Sequence, residues 1–178
     1  LKAIKKHDIS KIITFHTKVD YAQKFSEEIL SLNEKFKSKD FPKAKLFTDY
    51  VKGKGMSSFE KSKKIKKLEI NKKDEIRLIS NARCLGEGID VPTLDGIAFI
   101  NPKYSLIDIV QQVGRAIRKS KNKTIGTIIL PVFIKDGDNA MEIIENSNFE
   151  KIWWVLNALK SHDSHLVEEL NELRTKLG

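Results

Sequence analysis

Short β-branched runs alternate with longer stretches whose apolar residues recur every third or fourth position, and this alternation restricts the possible folds more than any other feature. KIITFH (Lys11–His16) is apolar, β-branched and bounded by charge, as expected of a buried strand. The next stretch, TKVDYAQKFSEEILSLNEKF, places Val19, Ala22, Phe25, Ile29, Leu32 and Phe36 on one helical stripe. The alternation continues with AKLFTDYV (Ala44–Val51) as a strand, residues 57–68 as a helix, EIRLIS (Glu75–Ser80) and GIAFI (Gly96–Ile100) as strands, residues 105–118 as a helix, and TIGTIILPVF (Thr124–Phe133) as the last strand. Strands separated by helices pair in parallel, because a parallel return needs a crossover. The expected fold is therefore α/β, a mostly parallel sheet with helices on both faces. In such sheets ligands bind beyond the carboxyl ends of the strands, which directs attention to the loops after His16, Ser80 and Ile100.

From Asn139 onward only helical spacing remains: Met141, Ile144, Phe149, Ile152, Trp153, Leu156 and Leu159 form apolar faces, and Leu166 to Leu177 offers a further amphipathic helix. The expected division is a sheet domain over residues 1–137 and a helical extension over 138–178, packed on the sheet domain or on a neighbour. Adjacent Trp153 and Trp154 cannot face the same core, so one is expected to anchor the extension and the other to meet a neighbour. Charge divides the same way. The formal net charge is +9, yet residues 138–178 hold four basic and eight acidic side chains, leaving +13 on residues 1–137. An excess of that size suits a polyanion-binding surface, although lysine-rich composition alone gives the same sum.

No apolar run approaches the length of a bilayer span, and LKAIKKHDIS lacks the apolar centre of a secretory signal. A single cysteine, Cys84, cannot form an internal disulfide. The expected location is cytoplasmic, with no membrane partner. A start at Leu1 rather than Met leads to the expectation of a piece of a longer protein.

Two motifs bear on chemistry. GEGIDVP (Gly86 to Pro92) follows an expected strand directly: Gly86 and Gly88 let a ligand approach the backbone, Asp90 offers an acceptor for a sugar hydroxyl, and Pro92 stiffens the exit. Taken alone, such a loop also reads as an ordinary turn. QQVGRAIR has the spacing Q-x-x-G-R-x-x-R, with Gln111, Arg115 and Arg118 at i, i+4 and i+7 and so on one helical face, while Gly114 permits close approach. Two guanidiniums beside a glutamine suit a multiply charged oxyanion, because each planar fork pairs with phosphate oxygens and stays charged. A solvated basic face pairing with acids is the alternative.

The ordered pair, with Arg115 placed 25 residues after Asp90, resembles motifs V and VI of superfamily 2 helicases. TFHTK (Thr14 to Lys18) resembles motif IV of that superfamily, and VKGKGMSSFEK (Val51 to Lys61) its motif IVa. NARCLGEGIDVP and QQVGRAIR are similar to the wording of a bacterial group of predicted helicases allied with type III restriction motor subunits, in which a helix with paired aromatics, like FEKIWWVLNAL, also follows the motor core. The resemblance implies a RecA-like second motor domain of an ATP-dependent helicase or translocase. It further implies that a first RecA-like domain of the same polypeptide holds Mg2+ and most of the ATP. Arg118 would be the arginine finger and Arg115 a second γ-phosphate contact. Gly88 and Asp90 would lie against the ribose, and Gln111 would order the network around the attacking water or the facing domain. Nucleic acid, DNA ahead of RNA, would be held at its phosphates by Thr17, Lys18, Gly53, Lys61 and Asn81. Asn81 or Ala82 stands where many relatives have threonine, and Lys61 where arginine is common, after a one-residue insertion.

Other features read as structure. Asp74 and Glu75 precede their strand, whereas the Mg-holding pair of a first motor domain follows its strand. No G-x-x-x-x-G-K-[ST] occurs, so the chain alone is expected not to hydrolyse ATP. The lysines from Lys61 to Lys73 suit a solvated helix face or a phosphate track equally. His162 and His165 have no third ligand nearby, and Cys84 has no partner base, so a metal site is not expected and Cys84 reads as a small filler. Two other readings stay open: a non-catalytic basic nucleic-acid-binding α/β module, with the arginines on DNA phosphates, and a nucleotide-sugar-binding α/β enzyme.

Overall fold

β-branched and aromatic residues populate every strand of the computed structural model, which describes residues 1–36, 39–70, 72–82, 84, 93–101, 109–110, 112–114 and 126–160. Five strands, β1 (Lys11–His16), β2 (Lys45–Lys52), β3 (Glu75–Ala82), β4 (Gly96–Phe99) and β5 (Thr127–Ile129), form one sheet in the order β2-β3-β1-β4-β5. Every pairing is parallel, as the alternation of elements requires. The helices are α1 (Lys2–Lys6), α2 (Val19–Lys35), α3 (Ser58–Lys66, continued by a 3-10 turn at Lys67–Glu69), α4 (Ala140–Glu145) and α5 (Glu150–Lys160). Together these make the RecA-like α/β fold.

Alternation along the central strands divides the core in two. On one face Ile12, Ile76, Leu78 and Ala98 pack with Ile4 of α1 and Ile29 of α2. On the other Ile13, Phe15, Val51, Ile79, Ile97 and Phe99 pack with Ile65 of α3 and with Ile152, Trp153, Val155 and Leu156 of α5. The Phe15 and Phe99 rings stack at 5.4 Å between centroids. Helix α5, within the expected helical extension, packs on the sheet and shares its core. Trp153 is buried and Trp154 is 54% exposed, so the first is the anchor.

At the amino end of the sheet Asp95 joins two strands. Its Oδ2 accepts from Ser10 N (3.0 Å), Ser10 Oγ (2.5 Å) and Lys11 N (2.8 Å), locking the start of β1 against that of β4. Local pattern did not announce this contact. Nor did it announce α1, whose five residues are too few for a period to register. β3 runs two residues past the expected Ser80, and β5 stops at Ile129 rather than Phe133. The expected helix from Leu166 to Leu177 and the pair His162 and His165 lie outside the described residues.

Candidate functional site

Register decides what meets at the carboxyl edge of the sheet. His16 of β1 pairs with Ala82 of β3, and Ala82 pairs in turn with Lys52 of β2. Neighbouring strands lie about 5 Å apart. Thr17 and Gly53 therefore leave the sheet on strands flanking β3, at the height where Asn81 and Ala82 end it. Thr17 is half-buried, and Lys18 is exposed with its Nζ over the Tyr21 ring at 5.3 Å. Lys18 is also the N-cap of α2 and makes no side-chain cap hydrogen bond, so a 17-residue helix presents its first N–H groups at this edge without a side-chain acceptor from its cap.

Motif IVa and the start of motif V converge on the same edge. Lys61 donates through Nζ to the carbonyl of Gly53 at 2.9 Å, holding the glycine loop against α3. Gly55, at φ +73, supplies the left-handed turn in that loop. Ser57 and Glu60 close a capping box over the start of α3, so a side-chain acceptor already occupies that helix end. Asn81 is buried as a strand residue; its Oδ1 accepts from Cys84 N (3.1 Å) and Cys84 Sγ (2.9 Å), which turns the chain as it leaves β3. Burial pushes the Cys84 thiol up to about 11, against a weaker opposing pull from Lys61, so the thiol stays protonated and fills space. Within the lysine run, Lys64 and Lys67 bind Asp49 at 2.6 and 3.1 Å and fasten α3 to β2. Asp49 itself is partly desolvated, which would raise its pKa, but those two lysines and the Tyr50 N–H outweigh this and hold it below the ordinary carboxylate value.

Beneath this edge, on the α2 side, lies a buried polar seam. Thr14 Oγ1 donates to Ser80 Oγ at 3.1 Å and lies 2.9 Å from His16 Nε2. Burial pushes the His16 imidazole from 6.5 down to about 4, against a smaller opposing contribution from the Asn101 side chain. The unfolded chain therefore binds a proton that the folded chain refuses between those two values. Stability from this group is complete above about pH 6.5 and falls as pH drops toward 4, by about 3 kcal/mol at most. Urea denaturation of the wild-type chain at pH 7 and pH 4.5 is expected to show a steeper loss than His16→Gln; parallel losses would show that His16 does not titrate this way.

Residues 1–120 match the family described as the helicase conserved C-terminal domain. The chain belongs to that family. A probable helicase of African swine fever virus (isolate Pig/Kenya/KEN-50/1950), A859L, is 30% identical over 93 residues, which cover 52% of this chain and 10% of the viral protein. A putative helicase of a Sulfolobus islandicus filamentous virus (isolate Iceland/Hveragerdi) is 30% identical over 88 residues, covering 47% of this chain and 16% of that protein. Among solved structures, the ATP-dependent Type ISP restriction-modification enzyme LlaBIII bound to DNA superimposes with a TM-score of 0.69 at 36% identity, over 88% of this chain and 10% of the enzyme. The chain thus spans a small part of the proteins it resembles.

For this helicase C-terminal domain, the structure brings Thr17, Lys18, Gly53, Lys61 and Asn81 to one edge. Gly88, Asp90, Gln111, Arg115 and Arg118 lie outside the described residues. Around the second motif, Ile109 and Val113 are buried in the core, Gln112 is buried, and Gly114 is exposed, where an added Cβ would meet nothing within 4 Å. Nothing in the described chain therefore demands a glycine at 114. Sequence reasoning passed over His16 and Asn101, which meet where β1 and β4 send their following segments to opposite faces of the sheet; that crossing point is visible only once the strand order is known. Among the described residues no helix is long and apolar enough to cross a membrane, and no three His, Cys, Asp or Glu side chains come together as a metal cage.

Proposed function

We propose that this chain is the second RecA-like motor domain of an ATP-dependent DNA helicase or translocase. It grips nucleic-acid phosphates at the carboxyl edge of its sheet and completes a nucleotide site seated mainly in a first motor domain. The observation that carries the reading is the in-register convergence of Thr17, Lys18, Gly53, Lys61 and Asn81 on one edge, in a chain of the helicase family. Uncapped N–H groups of α2, the exposed Lys18 and the glycine loop suit phosphate oxygens, which give position without reading bases.

The residues fit a nucleotide shared between two domains. The 178 residues contain no phosphate-binding loop, and Gly114, within the second motif, is exposed. Bound ATP with Mg2+ would supply the phosphoanhydride whose hydrolysis drives movement. On this chain, Arg118 would stabilise charge building on the transferred phosphoryl group, Arg115 would hold the γ-phosphate oxygens, Gln111 would order the surrounding network, and Gly88 with Asp90 would seat the ribose. Helices α4 and α5, with the rest of residues 138–178, would form the extension that braces the sheet. The likeness to a DNA-bound restriction enzyme favours DNA over RNA.

The test is the ATPase rate of the protein that carries both motor domains, compared without nucleic acid and with single-stranded DNA, duplex DNA and RNA. A rise of at least several-fold with DNA is expected. A rate indifferent to all three polymers would remove the motor reading and leave a nucleotide-binding enzyme.

A further inference from the structure

Phe59, the second residue of α3, is 77% exposed. The inward side of this helix is accounted for: Ile65 is fully buried, Lys64 binds Asp49 and Lys61 binds the Gly53 carbonyl. Phe59, Lys63 and Lys66 follow at i, i+4 and i+7 and are all exposed, so one aromatic ring and two ammonium groups share the solvent face. At 1.5 Å per residue the two lysines stand about 6 and about 10 Å along the axis from the ring. The aromatic end of the stripe is the end nearest the Gly53 loop, and hence the candidate phosphate edge.

The surroundings of Phe59 identify its occupant. Residues 52–67 hold seven lysines against one acid, Glu60. That acid is turned back on the helix start, its Oε2 accepting from Ser57 N and Ser57 Oγ, each at 2.8 Å. Lys64 and Lys67 share an ion pair with Asp49, but among the described residues no ion pair reaches Lys52, Lys54, Lys63 or Lys66. Ser57, Ser58, Lys63 and Lys66 are exposed around the ring rather than apolar side chains. A protein partner favours contiguous apolar surface with lysine depleted. A solitary ring among unpaired lysines instead suits an unstacked base with phosphates on either side.

We propose that Phe59 is a base-stacking platform for single-stranded nucleic acid, with Lys63 and Lys66 neutralising the phosphates that run along the outer face of α3. The proposal rests on the motor reading but goes beyond it, because contacts confined to the backbone do not distinguish a free strand from a duplex, whereas a stacking ring requires an exposed base face.

The experiment uses the protein carrying both motor domains, a fluorescent thymidine oligonucleotide and a duplex of equal length, with affinities measured by anisotropy at several salt concentrations. Phe59→Ala is expected to weaken single-strand binding about tenfold, leaving the salt slope and the duplex affinity unchanged. Phe59→Trp should restore the single-strand affinity, and Phe59→Leu should not. Removing Lys63 and Lys66 together should lower the salt slope by about one to two. Equal affinities for wild type and Phe59→Ala, equal losses on single strand and duplex, or rescue by leucine would each overturn the stacking role, the last pointing to an apolar protein contact. Failure of the wild type to bind either polymer would remove the motor reading along with the platform.

Discussion

Replacing Arg118 with alanine, in a protein that joins this chain to a phosphate-binding motor domain, is expected to lower ATP turnover by about a thousandfold or more while nucleic-acid affinity stays within a few-fold of wild type. The expectation rests on the proposed function and on the helical spacing of Gln111, Arg115 and Arg118. A guanidinium aimed at a transferring phosphoryl group acts where charge develops, so its loss appears in turnover more than in binding. Arg118→Lys should recover only part of the rate, because a point charge lacks the planar fork that spans two phosphate oxygens. Steady-state ATPase under saturating DNA, paired with DNA affinity in the absence of nucleotide, separates the outcomes. Turnover within a few-fold of wild type would withdraw Arg118 as the finger, and a parallel collapse of DNA binding would assign it to the polymer instead.

Trp153→Ala is expected to destabilise the chain by about 3 to 5 kcal/mol, and Trp154→Ala by less than about 1 kcal/mol. The two neighbours differ in surroundings, not chemistry. Trp153 is 5% exposed and packs in the cluster that holds Ile13, Phe15, Ile97 and Phe99, whereas Trp154 is 54% exposed. Removing the buried indole opens a cavity against the sheet, which refills only partly. Its Nε1–H is buried without a partner among the described residues, so Trp153→Phe, which keeps much of the packing, should cost clearly less than alanine. Urea midpoints followed by circular dichroism measure all three variants. Equal shifts for the two alanine variants would mean that α5 does not share the core of the sheet.

Fold and site were legible to different depths, for physical reasons. Strands β1 to β4 and helices α2 and α3 announce themselves because burial imposes a period on every residue of an element, and that period is local. α1 escaped because Ile4 is its one buried residue and a single residue has no period. Asn81 reads from sequence as the first residue of a loop, yet it ends β3 buried, because pairing with Phe15 and Val51 continues to its position. The lysine run shows the same limit. Lys64 and Lys67 belong to the scaffold and Lys63 and Lys66 to the surface, a division set by Asp49, which lies on another element.

Side-chain periodicity, a property of neighbours along the chain, was enough to establish a parallel α/β domain, and the resemblance of its motifs pointed to the helicase family that the chain belongs to. Strand order was not available to them, because hydrogen bonding between strands depends on which backbones meet and every parallel strand here looks alike locally. The order β2-β3-β1-β4-β5 alone sets Thr17, Gly53 and Asn81 on one edge, seals His16 beneath it, and fastens α5 to the sheet through Trp153. These contacts join residues far apart in sequence, and only burial in a common core selects them.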